Sequence, residues 1–140
     1  MYYDILVPVD MSDEHSWKKP LSQAVDLAKM TGARLHIMTV IPAYHAMVET
    51  FLPADYEQKM RVKVDQDLHA FVKRNVPAEL KTQTIVAVGT IYEEVINTAH
   101  QVNCDLIIMG RNSEHHNSFL FGPNAERVVR HSDRSVLVVC

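Results

Sequence analysis

Two glycines, Gly110 and Gly122, bracket the stretch RNSEHHNSFLF, with an apolar run before the first and a helical pattern after the second. That layout suits a phosphate. Glycine lets a backbone come close to an anion, and the unbonded N–H groups and positive dipole end of a helix N-terminus attract one. Pro123 follows Gly122 at the first helical position. Proline is favoured there because its absent N–H would have no partner inside the helix. A phosphate would use that N–H, so Pro123 withdraws a backbone donor and supplies no hydroxyl. A hydrogen bond to a charged group contributes roughly 1.5–3 kcal/mol, which makes roughly a ten- to hundredfold weakening. Gly122, Asn124 and Ala125 keep their backbone donors, Asn124 adds an amide, and Arg111 carries a guanidinium fork that matches phosphate.

Other reactive side chains are better explained without chemistry. Asp10, Asp13 and Glu14 form an acidic group of the kind that accepts a phosphoryl group, but no lysine follows the last buried strands and no aspartate ends the third. Asp13 and Glu14 read as solvated residues of a first helical turn, where negative charge is favourable. His115 and His116 are adjacent and have no third or fourth ligand nearby, so they read as exposed loop residues and not as a metal site. His131 falls near a helix C-terminus, where its charge is favourable. His36 lies within a strand and is assigned no role. No G-x-S-x-G, no cysteine beside a histidine in a loop and no spaced carboxylate pair occurs, so no residue is put forward as catalytic. These features describe a binding or signalling protein.

The elements that must hold the glycine loop alternate along the chain. Tyr3–Val9 and Cys104–Gly110 are apolar on both faces, as buried parallel strands are. Ala33–Pro42 and Ser135–Cys140 are further strands. Lys81–Val88 alternates and is rich in β-branched residues, which suits an outer strand. Between them fall helices: one capped by Ser16, with Pro20 in its first turns and Thr31-Gly32 ending it; one over 55–75; one over Ile91–Val102, with Thr90 and Glu93 at capping-box spacing; and one near Asn124–His131. Ala43–Tyr56 is the least patterned stretch, read as a long loop or short helix over a ligand site. Trp17 covers the core edge, and Met38, Met47, Met60 and Met109 fill gaps. The order β-α-β-α-β-α-β-α-β predicts a parallel sheet with helices on both faces and right-handed crossovers. Ligands of such sheets sit at the carboxyl ends of the strands, where strand order reverses. That points to Pro8–Ser12, Val40–Tyr44, Gly89–Ile91 and Gly110–Ala125.

Composition sets the outer bounds. The 140 residues are read as one domain spanning 1–140, with 47% hydrophobic and 22% charged residues and a net charge of −3. That charge, without a basic stripe, leaves no footprint for nucleic acid. No apolar run approaches the roughly 18 residues of a membrane helix. Asp4 inside the first apolar run and the lack of a basic lead argue against a signal peptide. Cys104 and Cys140 lie in or beside strands and read as buried, reduced thiols of a cytoplasmic protein.

Taken together, ILVPVDMS, TVIP and GRNSEHHNSFLFGPNAERVVRHSDRSVLVV resemble the universal stress protein family over essentially the whole chain. The resemblance implies a single α/β domain of the adenine nucleotide alpha hydrolase-like type, with a five-stranded parallel sheet ordered 3-2-1-4-5. Family members that bind ATP carry G-x2-G-x9-G followed by Ser or Thr. Gly110 and Gly122 match the outer glycines, Ser113 replaces the second, the loop is one residue shorter and Pro123 replaces the hydroxyl residue. GRNS and GxNAxxVVRHS resemble the F/G-type branch, which shares all of these departures except Pro123. By resemblance Asp10 contacts the nucleotide, Pro8 and Val9 flank the adenine, Val40 reads its edge through the backbone, and Arg111, Asn112 and Ser118 line the phosphate loop. ATP or a related adenine nucleotide is the implied ligand, with any Mg²⁺ or Mn²⁺ held mostly by phosphates and water. A homodimer is implied through the last strand, Val136, Leu137, Val138 and Val139. An uncharged apolar edge needs such a partner on physical grounds too. The expected role is a cytoplasmic stress-response regulator. The alternatives are a nucleotide-free dimeric interaction module and a weak ATPase.

Overall fold

The computed structural model describes residues 1–43, 53–111 and 123–140. Within them run β1 (Asp4–Pro8), α1 (Glu14–Thr31), β2 (Arg34–Pro42), α2 (Tyr56–Asn75), β3 (Thr82–Gly89), α3 (Ile91–Gln101), β4 (Leu106–Gly110), α4 (Pro123–His131) and β5 (Ser135–Val139). All strand pairs are parallel and the sheet order is β3-β2-β1-β4-β5, as expected.

Because successive strand side chains point to opposite faces, each strand feeds two cores. Ile5, Val7, Val9, Leu35, Ile37, Leu106 and Ile108 pack with Leu21, Ala24, Val25 and Ala28 of α1 and Leu68 and Phe71 of α2. Leu6, Met38, Ala87, Ile107 and Met109 pack with Ile91, Val95 and Ala99 of α3 and Ala125 and Val128 of α4. Trp17 closes the first core edge-on against Phe71, with ring centroids 4.7 Å apart.

Several local expectations need correction. Helix α1 starts earlier than Ser16, with Asp13 at the N-cap, and the Ser16 hydroxyl instead donates to the Asp13 carbonyl at 2.5 Å. Pro20 lies in the second turn, within the first turns as read from sequence. Gly32 does end the helix: at φ 76° it sits in the left-handed region that glycine tolerates, and its N–H donates to Ala28 O. Thr90 is the N-cap of α3, but its side chain makes no capping bond. Cys104 precedes β4 and is buried, whereas Cys140 is exposed, against the reading of both as buried. The turn into β4 has Asn103 at φ 50°, and Arg134 braces it by donating to Asn103 Oδ1 at 2.9 Å and to Cys104 O at 3.2 Å.

Candidate functional site

Strand order reverses between β1 and β4, and there the ladder is short. β1 pairs with β2 along its full length, Asp4↔Arg34 to Pro8↔Met38, and Val9 N–H still donates to Met38 O at 2.8 Å. With β4 it pairs only at Ile5↔Leu106 and Leu6↔Ile107. No further rung pairs the two strands beyond Leu6, so at the switch point there is a break in the β1–β4 ladder before the strands reach their carboxyl ends.

The residues singled out from sequence fall around that break. Pro8 is the last, buried residue of β1. Val9 is fully buried in the core beneath α1, so its side chain faces away from solvent. Asp10 follows, half-buried; its Oδ1 accepts from Ser12 N–H at 3.1 Å and Ser12 Oγ at 2.6 Å, and its carbonyl accepts from Asp13 N–H at 3.1 Å. These bonds form an Asx-turn that holds the carboxylate at the strand end, just before α1. Val40, in β2, is half-buried against the core that contains Met38, Met109 and Ala125. Even-numbered β2 residues face β1, as Arg34 N–H to Tyr3 O shows, so Val40's N–H and C=O point past the end of β1.

On the other side of the break, Gly110 is the last residue of β4 and pairs with Val139. Arg111 N–H then donates to Val139 O at 2.8 Å. That bond completes the Gly110↔Val139 rung, and the chain leaves the sheet directly after the glycine. The Arg111 backbone is committed to β5, and its exposed side chain is the part available to a ligand. Pro123 opens α4 at its first position, as the sequence predicted, with Asn124 half-buried and Ala125 buried against the second core. Asn112, Ser118 and Gly122 lie outside the described residues, as do Ser113, His115, His116 and most of the Ala43–Tyr56 stretch. The described part offers an apolar floor, a carboxylate, backbone groups of β2 and a helix N-terminus. Those donors and acceptors fit a nucleotide. Among the described residues no group of three or more His, Cys, Asp or Glu side chains is placed to hold a metal ion.

The opposite end of the strands carries polar residues that sequence reasoning passed over. Asp105 accepts from Tyr3 N–H at 2.8 Å and Asp4 N–H at 3.2 Å, and its own N–H donates to Asp4 O at 2.9 Å. His36, buried, lies 2.9 Å from Asp4 Oδ1 through Nε2 and 2.7 Å from Gln83 Oε1 through Nδ1. A histidine and a glutamine flanking one another in neighbouring strands would have been the signal, once β2 and β3 were aligned. Near there His100 Nε2 contacts Asp133 Oδ1 at 2.8 Å, and that bond holds the Asp133 carboxyl below its ordinary range. Burial pushes the Cys104 thiol up to about 11, which makes it a poor nucleophile.

Comparison with known proteins agrees with this geometry. Residues 1–139 match the model of the universal stress protein family. Universal stress protein G of Escherichia coli O157:H7 is 26% identical over 142 residues, covering 99% of both chains, in keeping with the F/G-type resemblance. The solved structure of the universal stress protein UspA from Lactobacillus plantarum superposes with a TM-score of 0.72 at 26% identity, covering 99% of this chain and 98% of that one. A universal stress protein from Archaeoglobus fulgidus, solved in complex with dAMP, shares the fold with a TM-score of 0.65 at 15% identity, covering 99% and 98%.

Proposed function

The chain belongs to the universal stress protein family, and on that premise we propose that it binds an adenine nucleotide at the carboxyl ends of β1 and β4. The observation that carries this reading is the β1–β4 ladder, which stops at Leu6↔Ile107 where strand order reverses. The dAMP complex of a protein with the same fold supports the ligand class.

In this reading Pro8 and the Val9 backbone lie under the adenine, and Val40's outward-facing N–H and C=O pair with its edge. Asp10 accepts from the ribose hydroxyls. Arg111, Asn112, Ser118 and Gly122, with the α4 N-terminus at Pro123, Asn124 and Ala125, take the phosphates. When bound, Mg²⁺ or Mn²⁺ would neutralise phosphate charge; no protein cage for it stands among the described residues. ATP is the reference ligand, and Pro123 favours nucleotides with fewer phosphates because it subtracts one donor from the cradle. The whole chain, 1–140, acts as one nucleotide-responsive unit, a stress-response regulator of the cytoplasm. It works as a homodimer paired along Val136, Leu137, Val138 and Val139 of the edge strand β5. Among the described residues none is assigned the role of a base, so dedicated hydrolysis is a poor fit, and slow ATPase activity a side reaction.

Pro123 at the first position of α4 also favours a second reading, in which the cradle no longer holds triphosphate and the dimer acts through protein contacts alone. Calorimetric titration with ATP and dAMP, together with mass spectrometry for co-purifying nucleotide, separates the two. Heat on titration of the wild type supports nucleotide binding. Silence in the wild type with binding in Pro123→Ser supports the interaction module. Silence in both removes the site assignment.

A further inference from the structure

Hydrogen bonding along β1 alternates sides, as a strand with two neighbours must. Tyr3 O accepts from Arg34 N–H and Val9 N–H donates to Met38 O, so odd-numbered residues face β2. Asp4 O accepts from Asp105 N–H, so even-numbered residues face the β4 side. With Ile5↔Leu106 and Leu6↔Ile107 in register, the next rung would be an N–H at position 8 donating to the Ile108 carbonyl. Position 8 is Pro8, which has no N–H. On the β2 side, where Pro8 has no donation to make, pairing continues through Pro8↔Met38 and on to Val9. The ladder therefore fails on one side of one residue.

The place is unusual for proline. Within sheets proline keeps to edges, strand starts and bulges, because elsewhere it removes a rung. β1 is the central strand of the five. We propose that Pro8 is a positioning residue: its missing N–H, and not contact of its ring with a ligand, stops β1 and β4 from zipping to their ends and holds the cleft open for an adenine nucleotide. The proposal rests on the nucleotide reading above and names the feature that makes the cleft. Asp10, two residues on, follows the strand end at which that donor toward β4 is missing.

Two variants of one position test it. Pro8→Ala restores the N–H. Its ester counterpart, with L-lactic acid at position 8, puts an oxygen there and so lacks both the N–H and the ring. With alanine, the amide created at position 8 is expected to be protected from hydrogen exchange by about 100-fold or more, as a core rung is. The thermal midpoint should hold or rise, and dAMP affinity should weaken about tenfold, the worth of one hydrogen bond. The ester should bind dAMP more tightly than Pro8→Ala does, because like proline it lacks the N–H. A freely exchanging amide at position 8, unchanged affinity in Pro8→Ala, or an ester as weak as the alanine variant would each overturn the proposal. If the wild type binds neither dAMP nor ATP, the nucleotide reading fails by itself. The exchange result then still decides the ladder: a protected amide supports Pro8 as its terminator and an unprotected one refutes it.

Discussion

The two ends of the β1–β4 junction are built in opposite ways. At the amino end Asp105 gathers the N–H groups of Tyr3 and Asp4 and returns its own N–H to Asp4 O, while Asp4, His36 and Gln83 run side by side across β1, β2 and β3. At the carboxyl end the ladder lacks its next donor at Pro8, and Asp10 is held by bonds to its own turn. One end places polar groups to satisfy one another; the other ends its pairing before the strands do. Buried polar groups left unpaired are costly, so the closed end should carry stability. The open end leaves backbone groups for something other than the sheet, so it should carry affinity.

Mutations sharpen or break that contrast. The largest effect is expected from Asp105→Ala, which strands two backbone N–H groups that now donate to a carboxylate. Loss of about 2–3 kcal/mol in urea unfolding is expected, with dAMP affinity unchanged while the protein stays folded. Lost affinity without lost stability would reverse the assignment of the two ends. His36→Leu comes next, because it leaves Asp4 and Gln83 without their shared partner; a loss of about 2 kcal/mol in the same measurement is expected. At the open end Pro123→Ser should tighten ATP about tenfold by calorimetry, equivalent to about 1.4 kcal/mol, and move the unfolding midpoint hardly at all.

The smallest effect concerns His100 and Asp133. His100 holds the Asp133 carboxyl below its ordinary 3.8 in the folded chain. A carboxylate lowered in this way contributes stability that is present above the unfolded value, near pH 4, and is lost as pH falls through the lowered folded value. Both side chains are largely exposed, so screening leaves little of it. His100→Ala should raise the Asp133 titration point, read by carboxyl NMR, without a measurable change in the unfolding midpoint near neutral pH. A clear loss of stability there would make this pair part of the closed end.

What could be read from sequence follows from the range of the interactions. The element order, the buried character of β1 and β4 and the start of α4 at Pro123 rest on residues close in the chain, and the structure agrees with them. The strand-end positions Pro8–Asp10, Val40 and Gly110–Arg111 were legible because a doubly wound sheet has one switch point. Asp105 was not, since its partner Tyr3 lies 102 residues away. The placement of Ser16 was missed because Asp13 and Ser16 compete for the same helix start, and the choice depends on how Asp10 turns the chain. The one-sided failure of Pro8 needed a further fact: which neighbour lies on which flank of β1.

The unequal cysteines have a practical consequence. Cys104 is sealed in the core with its thiol raised to about 11, and Cys140 is exposed immediately after β5. Near neutral pH a maleimide should therefore attach at Cys140 and not at Cys104, with no engineered site. The chain carries its own spectroscopic handle beside the uncharged edge strand. Two dyes brought together by edge pairing would quench one another, and dilution would restore their light at the concentration where the copies part.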